Sequence, residues 1–187
     1  YIMKKLVIAL ASIALVSCGP DLPQMKPDLI TESTLHDTDD PAIWVNKENT
    51  KESIVFGTDK DTDGAIYAFD LEGKVIEEKT LRGMKRPNNV DVEYDVKIND
   101  SVTTDILMFT EREREQIRLF SVPDMKPLDQ GGFKVFQEKR ENEWNLPMGI
   151  SIFKSPKNEK TYAVVGRKNG PKTNYLHQFE LVPAGDH

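Results

Sequence analysis

The sequence predicts an all-β fold, and three observations lead to that prediction. From Ala42 onward the apolar residues fall in runs of about four to eight, and no long stretch has helical periodicity. The runs are separated by clusters of Asn, Asp, Gly and Pro, which are the residues that tight turns require. The runs also recur as a group with a period of about 50 residues. A length of 187 residues with 38% hydrophobic content suffices for one packed domain.

Eleven strands are predicted between Ala42 and Leu181. Each is a short run that stops at turn residues, for example at LEGK, VPDMKP or KSPKNEK. The predicted strands are residues 42–46, 53–58, 65–70, 74–79, 89–96, 105–110, 116–122, 133–136, 149–153, 161–166 and 175–181.

The N-terminal residues have the pattern of a targeting signal and not of a folded element. Lys4 and Lys5 precede an apolar run at 6–16 that is too short to span a bilayer as a stable helix. The run closes with Leu-Val-Ser-Cys at 15–18, which is similar to the bacterial lipoprotein signal, in which the cysteine is lipidated and becomes the new N-terminus. A plain secretory signal with an accidental cysteine is the alternative.

We therefore expect residues 1–18 to be a signal peptide ending at the lipidated Cys18, residues 19–30 to be a proline-containing tether, and residues 31–187 to be the folded domain. The expected location is the bacterial cell envelope, on its periplasmic or extracellular face, with the membrane reached only through the lipid. Cys18 is the only cysteine, which excludes a disulfide framework. The chain stops just after a predicted strand, and we expect the natural protein to continue past His187.

The charge balance restricts the partners. The chain has 25 Lys and Arg against 31 Asp and Glu, a formal net charge of −6. This acidic balance argues against nucleic acid as the partner. A phosphorylated small molecule is still possible, because bound calcium ions can reverse the local sign of the charge.

Three units repeat the same order of strands, with a period near the blade length of β-propellers. DPAIWVN, NNVDVEYD and PMGISIF take the first place in each unit, IVFGTDK, ILMFTER and YAVVGRK take the second, and AIYAFD, QIRLFS and LHQFEL take the third. One sheet of this kind cannot bury both of its faces alone, so the units are predicted to pack radially around an axis. Three units are about half of a six-bladed ring, which predicts a partial β-propeller.

Each second strand is followed by a basic residue, namely Lys60, Arg112, and Arg167 or Lys168. Radial packing would bring equivalent positions of successive units to one central mouth. The polar residues at the mouth end of the first strands are Asp39, Asp40, Asn88, Asn89 and Asp91. We interpret this set as an anion site with cations between the acids; the alternative is that each charge only solvates the tip of a loop.

The loop DKDTDG at 59–64 matches the start of an EF-hand loop, with Asp70 at the twelfth position. An EF-hand needs flanking helices, whereas SIVFGT and AIYAFD are predicted strands. The sequence therefore favours a calcium-binding β-loop, or a loop that carries Lys60 beside a calcium site. Carboxylates this dense repel one another unless a hard cation lies between them.

Other catalytic arrangements find no support in the sequence. It has no GxSxG nucleophile elbow and no phosphate-binding P-loop, and the expected lipidation of Cys18 excludes a cysteine nucleophile. The three histidines lack metal-ligand spacing: His177 is predicted to be structural, and His36 lies beside the acidic cluster.

The motifs DDPAIWVN, RPNNVDVEYDV and ILMFTERER occur in this order, with a strand that ends before Lys60 between the first two. In this combination they resemble the β-propeller phytases, calcium-dependent 3-phytases of bacteria, and the resemblance runs from Thr31 to Leu181. The third unit is matched more loosely. The resemblance implies a six-bladed propeller with several calcium ions at its mouth that acts on myo-inositol hexakisphosphate (phytate). We expect a monomer.

The resemblance also implies metal ligands. Asp40, with Asp39 beside it, is similar to a calcium-ligating aspartate. Asp91 lies in the NNVD motif that edges the site and is a further predicted ligand. The later acidic ligands of the family would lie beyond His187, so the fragment alone is expected to be inactive.

The phosphate-binding residues are implied in the same way. Lys60 resembles the phosphate-binding lysine and Arg112 the arginine that grips phosphate, and these two are the predicted catalytic residues. Lys168 resembles a further phosphate-contacting lysine, and Asn89 is a predicted substrate contact at the edge of the site. Met148 stands where family members usually have a tyrosine, which puts one phosphate contact in doubt.

The implied reaction is attack of a metal-activated water on a phosphomonoester, with no covalent phospho-enzyme. Two alternatives stay open. A six-bladed propeller lactonase or esterase would need acidic and amide metal ligands but no series of bases. A non-catalytic surface lipoprotein would use calcium only for stability or adhesion.

Overall fold

The computed structural model describes residues 25–138, 144–170 and 172–184, and within these it contains eleven β-strands, three 3-10 helices and no α-helix. The prediction of an all-β fold is confirmed. None of the helices in the described residues is long and apolar enough to cross a membrane. The predicted signal peptide with Cys18, and the first part of the predicted tether, lie outside the described residues. Residues 25–30 of that tether are exposed and belong to no strand.

The strands form three antiparallel sheets, in which strands adjacent in sequence are hydrogen-bonded neighbours. Each sheet is therefore a meander that needs only local connections. Sheet 1 contains β1 (Thr38–Trp44), β2 (Ile54–Asp59), β3 (Gly64–Phe69) and β4 (Leu81–Met84). Sheet 2 contains β5 (Pro87–Lys97), β6 (Thr103–Glu111), β7 (Gln116–Val122) and β8 (Phe133–Lys134). Sheet 3 contains β9 (Pro147–Lys154), β10 (Thr161–Arg167) and β11 (Leu176–Leu181).

One predicted strand, 74–79, is wrong. Only Val75 makes a bridge, to Phe69, and the chain then forms a 3-10 helix at Glu77–Lys79. The hydroxyl of Thr80 donates to the carbonyl of Ile76 at 3.0 Å, which closes this turn. The fourth strand of sheet 1 begins only afterwards, because the local bonds of the turn compete with strand pairing.

Two hydrophobic cores lie between the three sheets. The core between sheets 1 and 2 contains Phe56, Leu107 and Phe109, all fully buried. The core between sheets 2 and 3 contains Ile106 and Met108. Successive residues of β6 point to opposite faces, so sheet 2 is covered on both sides. Burial of each such side chain contributes about 1.5–3 kcal/mol, which makes this packing the main force that holds the sheets together.

The register of the strands defines equivalent positions in the three sheets. In each sheet the first strand pairs with the second. The matching pairs are Pro41 with Gly57, Val90 with Phe109, and Ile150 with Val165. The residues that follow in the second strands are therefore equivalent, and they are Thr58, Thr110 and Gly166.

Two buried threonines join neighbouring sheets in the same way. The hydroxyls of Thr58 and Thr110 each accept a hydrogen bond from a backbone N–H in the first strand of their own sheet. Thr58 donates to the carbonyl of Asn88 in sheet 2 at 3.0 Å, and Thr110 donates to the carbonyl of Met148 in sheet 3 at 2.7 Å. Gly166 has no hydroxyl to offer at the equivalent place. The threonines thus satisfy buried backbone groups that lie between sheets.

Three carboxylates also connect the first strands of neighbouring sheets. Each accepts a hydrogen bond from a backbone N–H in the next sheet. The bonds are Asp40 with Val90 N–H (3.0 Å), Asp91 with Ile152 N–H (2.7 Å) and Glu93 with Lys154 N–H (2.8 Å). The first strands are therefore held side by side by specific polar bonds as well as by apolar packing.

We expect Thr110→Val to lower the free energy of unfolding by about 1–3 kcal/mol, because the isosteric valine leaves the N–H of Asn89 and the carbonyl of Met148, both in a partly buried position, without this partner. Urea unfolding measures the change. Thr104→Val is the matched control, since the hydroxyl of Thr104 bonds only within its own strand, to the carbonyl of Asp105 at 3.2 Å. An equal loss in both variants would contradict the role of Thr110 between sheets.

Candidate active site

Lys60, Arg112 and Lys168 occupy the same place in their sheets. Each follows directly after the second strand, and its backbone N–H donates to the carbonyl of the residue just before the first strand. These bonds are Lys60 to Asp37 (2.8 Å), Arg112 to Arg86 (3.1 Å) and Lys168 to Leu146 (2.8 Å). Of the two basic residues considered in sheet 3, Lys168 is the equivalent one, since Arg167 is the last residue of β10. The predicted role of these residues in phosphate binding stays a prediction.

The ammonium group of Lys60 lies between two carboxylates. Its Nζ is 3.1 Å from Asp39 Oδ1 and 3.2 Å from Asp37 Oδ2, and its side chain is only 20% exposed. Hydrogen bonding to Asp39, with a further contribution from Asp37, raises the pKa of Lys60 above its ordinary value. Lys60 is therefore a fixed cation at neutral pH.

Asp39 also contacts Asn88, whose side chain has an unsatisfied oxygen. Asn88 Nδ2 donates to Asp39 Oδ2 at 3.2 Å, and Asn88 is fully buried. Its Oδ1 atom is buried without a hydrogen-bond partner. An unsatisfied buried oxygen destabilises the fold by about 1–3 kcal/mol, and such an oxygen beside a carboxylate suits a hard cation.

The described residues do not by themselves form a metal site. Within the residues that the structure describes, no three or more His, Cys, Asp and Glu side chains are grouped so that they could hold a metal ion. The carboxylates of Asp39 and Asp40 and the amide oxygen of Asn88 are ligands of the chemical type that calcium takes, but calcium takes roughly six to eight oxygens. Water and phosphate oxygens would have to complete the shell.

The two remaining predicted residues of β5 are Asp91, whose side chain bonds to backbone groups, and Asn89, whose own backbone N–H bonds to a side chain. Both oxygens of Asp91 accept backbone hydrogen bonds, one from Val92 at 2.8 Å and the other from Ile152 at 2.7 Å. This geometry favours a structural role for Asp91, and its assignment as a calcium ligand stays a prediction. Asn89 is half-buried, and its N–H donates to the hydroxyl of Thr110 at 3.2 Å. The predicted contact of Asn89 with substrate also stays a prediction.

Arg112, Lys168 and Met148 differ in exposure. Arg112 is 7% exposed and begins the short 3-10 helix Arg112–Arg114. Lys168 is half-buried, and its carbonyl accepts a hydrogen bond from the hydroxyl of Tyr175 at 3.2 Å. Met148 is 39% exposed and contributes its carbonyl to the bond with Thr110. Its thioether cannot donate the hydrogen bond that a tyrosine at this position would offer.

The loop at 59–64 connects β2 to β3, so the flanking elements are strands and the EF-hand alternative is excluded. Asp61 Oδ1 accepts a hydrogen bond from Asp63 N–H at 3.1 Å, and the carbonyl of Asp61 accepts one from Arg86 N–H at 2.8 Å. The hydroxyl of Thr62 donates to Glu113 Oε1 at 2.7 Å. The loop is thus tied to the neighbouring sheet.

The sequence names Arg167 only as a candidate base, and it does not reveal that the last residues of the second strands are buried. Asp59 and Glu111 are fully buried, and Arg167 is 1% exposed. Each stands directly before one of the three basic residues, and that repeated adjacency was the available signal. In the sequence, Asp59 is the first residue of the EF-hand-like pattern DKDTDG. The structure pairs Asp59 with His36, at 2.8 Å between Oδ2 and Nδ1.

Three antiparallel sheets that repeat the same strand order, each with a base directly after its second strand, are the pattern of a repeat protein. The chain belongs to the phytase family, whose sequence profile matches residues 22–187. It is similar to a 3-phytase of Bacillus subtilis (strain 168), with 28% identity over 152 residues, or 79% of this chain. The match covers 36% of that relative, so the chain spans about a third of its length.

We expect Gly64→Ala to destabilise the loop that carries Lys60 by about 1–3 kcal/mol. A Cβ at Gly64 would lie 2.3 Å from the carbonyl oxygen of Asp59 and 2.7 Å from that of Asp61, and backbone atoms cannot give way as a flexible side chain can. Thermal unfolding measures the effect. Gly149→Ala is the control, since no atom lies within 4 Å of its added Cβ. Equal stability of both variants would contradict the close approach.

We expect His36 to make stability depend on pH. Its hydrogen bond with Asp59 raises the pKa of His36, and the charges of Asp59, Asp61 and Asp63 act in the same direction. The stabilisation is therefore complete below the unfolded-state pKa of about 6.5 and is lost as the pH rises through the higher folded-state pKa. The difference in melting temperature between wild type and His36→Gln, measured from acidic to alkaline pH, should shrink as the pH rises. A difference that does not vary with pH would contradict this expectation.

Proposed function

We propose that this chain is part of a calcium-dependent phytase, a phosphomonoesterase in which water releases phosphate from myo-inositol hexakisphosphate. The observation that carries the proposal is the in-register placement of Lys60, Arg112 and Lys168, each bonded through its backbone N–H at the start of its sheet. Membership of the phytase family and the likeness to a protein named 3-phytase support the choice of substrate.

We also propose that the three sheets are successive blades of a six-bladed propeller. The meander topology, the burial of sheet 2 on both faces and the repeated threonine bonds support this arrangement. In such a ring, equivalent strand ends turn toward one mouth. The three bases would then approach a single polyanionic ligand from different blades.

The bases have separate roles in this proposal. Lys60, whose charge is fixed by its raised pKa, binds a phosphate oxygen from its position beside Asp39. Arg112 suits bidentate contact with phosphate because its guanidinium carries a planar fork of donors. Both cations stabilise the charge that develops on the equatorial oxygens in the transition state. Lys168 holds a neighbouring phosphate, and Asn89 contacts substrate at the edge of the site.

Asp39, Asp40 and the amide oxygen of Asn88 are the residues proposed to hold calcium. The chemistry that bound calcium supplies is neutralisation of phosphate charge and a lowered pKa for the attacking water. Asp39 lies between Lys60 and Asn88, so the proposed metal and phosphate positions adjoin. The N–H of Val90 holds Asp40 at 3.0 Å, which orients its carboxylate.

The proposal includes a location in the bacterial cell envelope through a lipid on Cys18, with the protein as a monomer. A propeller lactonase or esterase would not need the series of bases, which therefore counts against that alternative. A non-catalytic calcium protein would lose nothing when a base is removed. Substitution of the bases consequently distinguishes the three hypotheses, namely a phytase, a lactonase or esterase, and a non-catalytic calcium protein.

We expect the full-length protein, expressed without its lipid anchor, to release phosphate from calcium phytate and to lose this activity on chelation of calcium. Lys60→Ala or Arg112→Ala should lower kcat/KM by about 10- to 100-fold, a loss of about 1.4–2.8 kcal/mol of transition-state stabilisation. Stabilisation of the fold by calcium, followed by melting temperature, should stay unchanged.

Lys97→Ala is the matched control for these variants, since Lys97 is an exposed lysine at the end of β5 whose Nζ lies 2.8 Å from Asp100 Oδ1. Its kcat/KM should equal that of wild type. Phosphate release that needs no calcium, or full activity of Lys60→Ala, would refute the proposed function.

A further inference from the structure

The carboxylate of Asp59 joins the two chain segments that meet beside Lys60. Asp59 is fully buried, and its Oδ1 accepts a hydrogen bond from the backbone N–H of His36 at 3.0 Å. Its Oδ2 lies 2.8 Å from His36 Nδ1. The next residue, Lys60, donates its own N–H to the carbonyl of Asp37 at 2.8 Å. Residues 36–37 and 59–60 are therefore held together by bonds in both directions, an arrangement that we call the strand-end clamp.

The same clamp occurs in sheet 2. Glu111 is fully buried, and its Oε1 accepts a hydrogen bond from the backbone N–H of Lys85 at 2.7 Å. The next residue, Arg112, donates its N–H to the carbonyl of Arg86 at 3.1 Å. Glu111 Oε2 in turn accepts a hydrogen bond from Gln116 at 2.6 Å. The clamp is thus built from an aspartate in one sheet and a glutamate in the next, at equivalent positions.

In sheet 3 a buried arginine stands where sheets 1 and 2 have a buried acid, and it also bonds to backbone groups. Arg167 takes the place of the buried carboxylate and donates to the backbone carbonyls of Trp144 and Asn174. Lys168, which follows it, keeps the backbone bond to Leu146. A charged group therefore ties the backbone at this position in all three sheets, although the donor and acceptor roles are exchanged.

Each buried acid has a basic partner, since Asp59 lies beside His36, and Glu111 lies 3.5 Å from Arg114 and 3.7 Å from Arg118. Buried pairs of this kind are a weak source of stability. Removing a carboxylate from water costs several kcal/mol, and apolar residues of similar volume often stabilise a fold as well or better. The clamp instead fixes the backbone from which a long basic side chain extends. A lysine or arginine loses about 2 kcal/mol of rotamer freedom when it is ordered, and a displaced backbone would add to that cost.

We propose that Asp59 and Glu111 are positioning residues, which act through Lys60 and Arg112 and do not touch the substrate. This inference rests on the proposed function, because it assigns to each clamp the task of holding a phosphate-binding base in place. It extends that function to two buried acids that precede the bases in sequence. Loss of a clamp should weaken substrate binding more than it slows the chemical step.

The test compares Asp59→Ala with Asp59→Asn in the full-length protein. Asparagine keeps an oxygen that can accept the His36 N–H, whereas alanine removes it. We expect Asp59→Ala to raise the KM for phytate about tenfold, equivalent to about 1.4 kcal/mol, with kcat changed less. Asp59→Asn should stay within about twofold of the wild-type KM. Amide hydrogen exchange should become faster at residues 36 and 60 in Asp59→Ala.

Asp105→Ala is the matched control. Asp105 likewise uses one oxygen for a backbone N–H, that of Asp95 at 2.8 Å, and the other for a ring N–H, that of Trp44 at 2.7 Å. It lies near the opposite end of β6 from Arg112. Its loss should lower the melting temperature and leave KM unchanged. His36→Ala, which keeps the backbone bond to Asp59, should raise KM by about threefold and serves if Asp59→Ala does not fold.

An unchanged KM in Asp59→Ala and His36→Ala, or an equal rise in Asp105→Ala, would overturn the positioning role while leaving the phytase activity in place. A wild-type protein that releases no phosphate would overturn the proposed function, and the positioning role with it. In that case the exchange rates at residues 36 and 60 would still show whether the clamp holds the backbone.

Discussion

The architecture depends on how buried backbone groups are satisfied where one sheet meets the next. Within a sheet, the hydrogen bonds between neighbouring strands satisfy the backbone N–H and carbonyl groups. The backbone groups of a first strand that face a neighbouring sheet lie outside this pattern and need other partners. The hydroxyls of Thr58 and Thr110 supply them, and Asp40 and Asp91 do so from the carboxylate side. Apolar packing brings the sheets together, but these directional bonds fix how the first strands lie against each other.

The candidate site follows from the same arrangement. Because Thr58 binds the carbonyl of Asn88, the Asn88 side chain is brought beside Asp39 and, through it, beside Lys60. A carboxylate, the side-chain amide of Asn88 and an ammonium group thus lie together at a junction between two sheets. Ionised groups this close are sensitive to small displacements, since electrostatic energies change steeply with distance when water is partly excluded.

Features that recur in every sheet could be predicted from the sequence, whereas features that depend on a single local hydrogen bond could not. The strands, their order and the equivalence of Lys60, Arg112 and Lys168 could be predicted, because period and turn chemistry report them directly. The 3-10 helix within segment 74–79 could not be predicted, because it depends on hydrogen bonds of the Thr80 side chain, which leave no periodic pattern in the sequence. The burial of Asp59 could not be predicted either. Its neighbours in sequence suggest a metal-binding loop, and its hydrogen-bond partner His36 lies 23 positions away in the sequence. Asp91 was assigned by motif, while the structure shows both of its oxygens already engaged.

Gly166 makes sheet 3 different from the other two sheets at the position equivalent to Thr58 and Thr110. In sheets 1 and 2 a threonine hydroxyl at this position donates a hydrogen bond to a carbonyl of the following sheet, whereas glycine has no side chain that could donate one. A further sheet packed on the far side of sheet 3 would receive no hydroxyl from this position, so its first-strand carbonyl would need another donor or water. Such a junction would have one hydroxyl-to-carbonyl hydrogen bond fewer than the junctions of sheet 1 with sheet 2 and of sheet 2 with sheet 3.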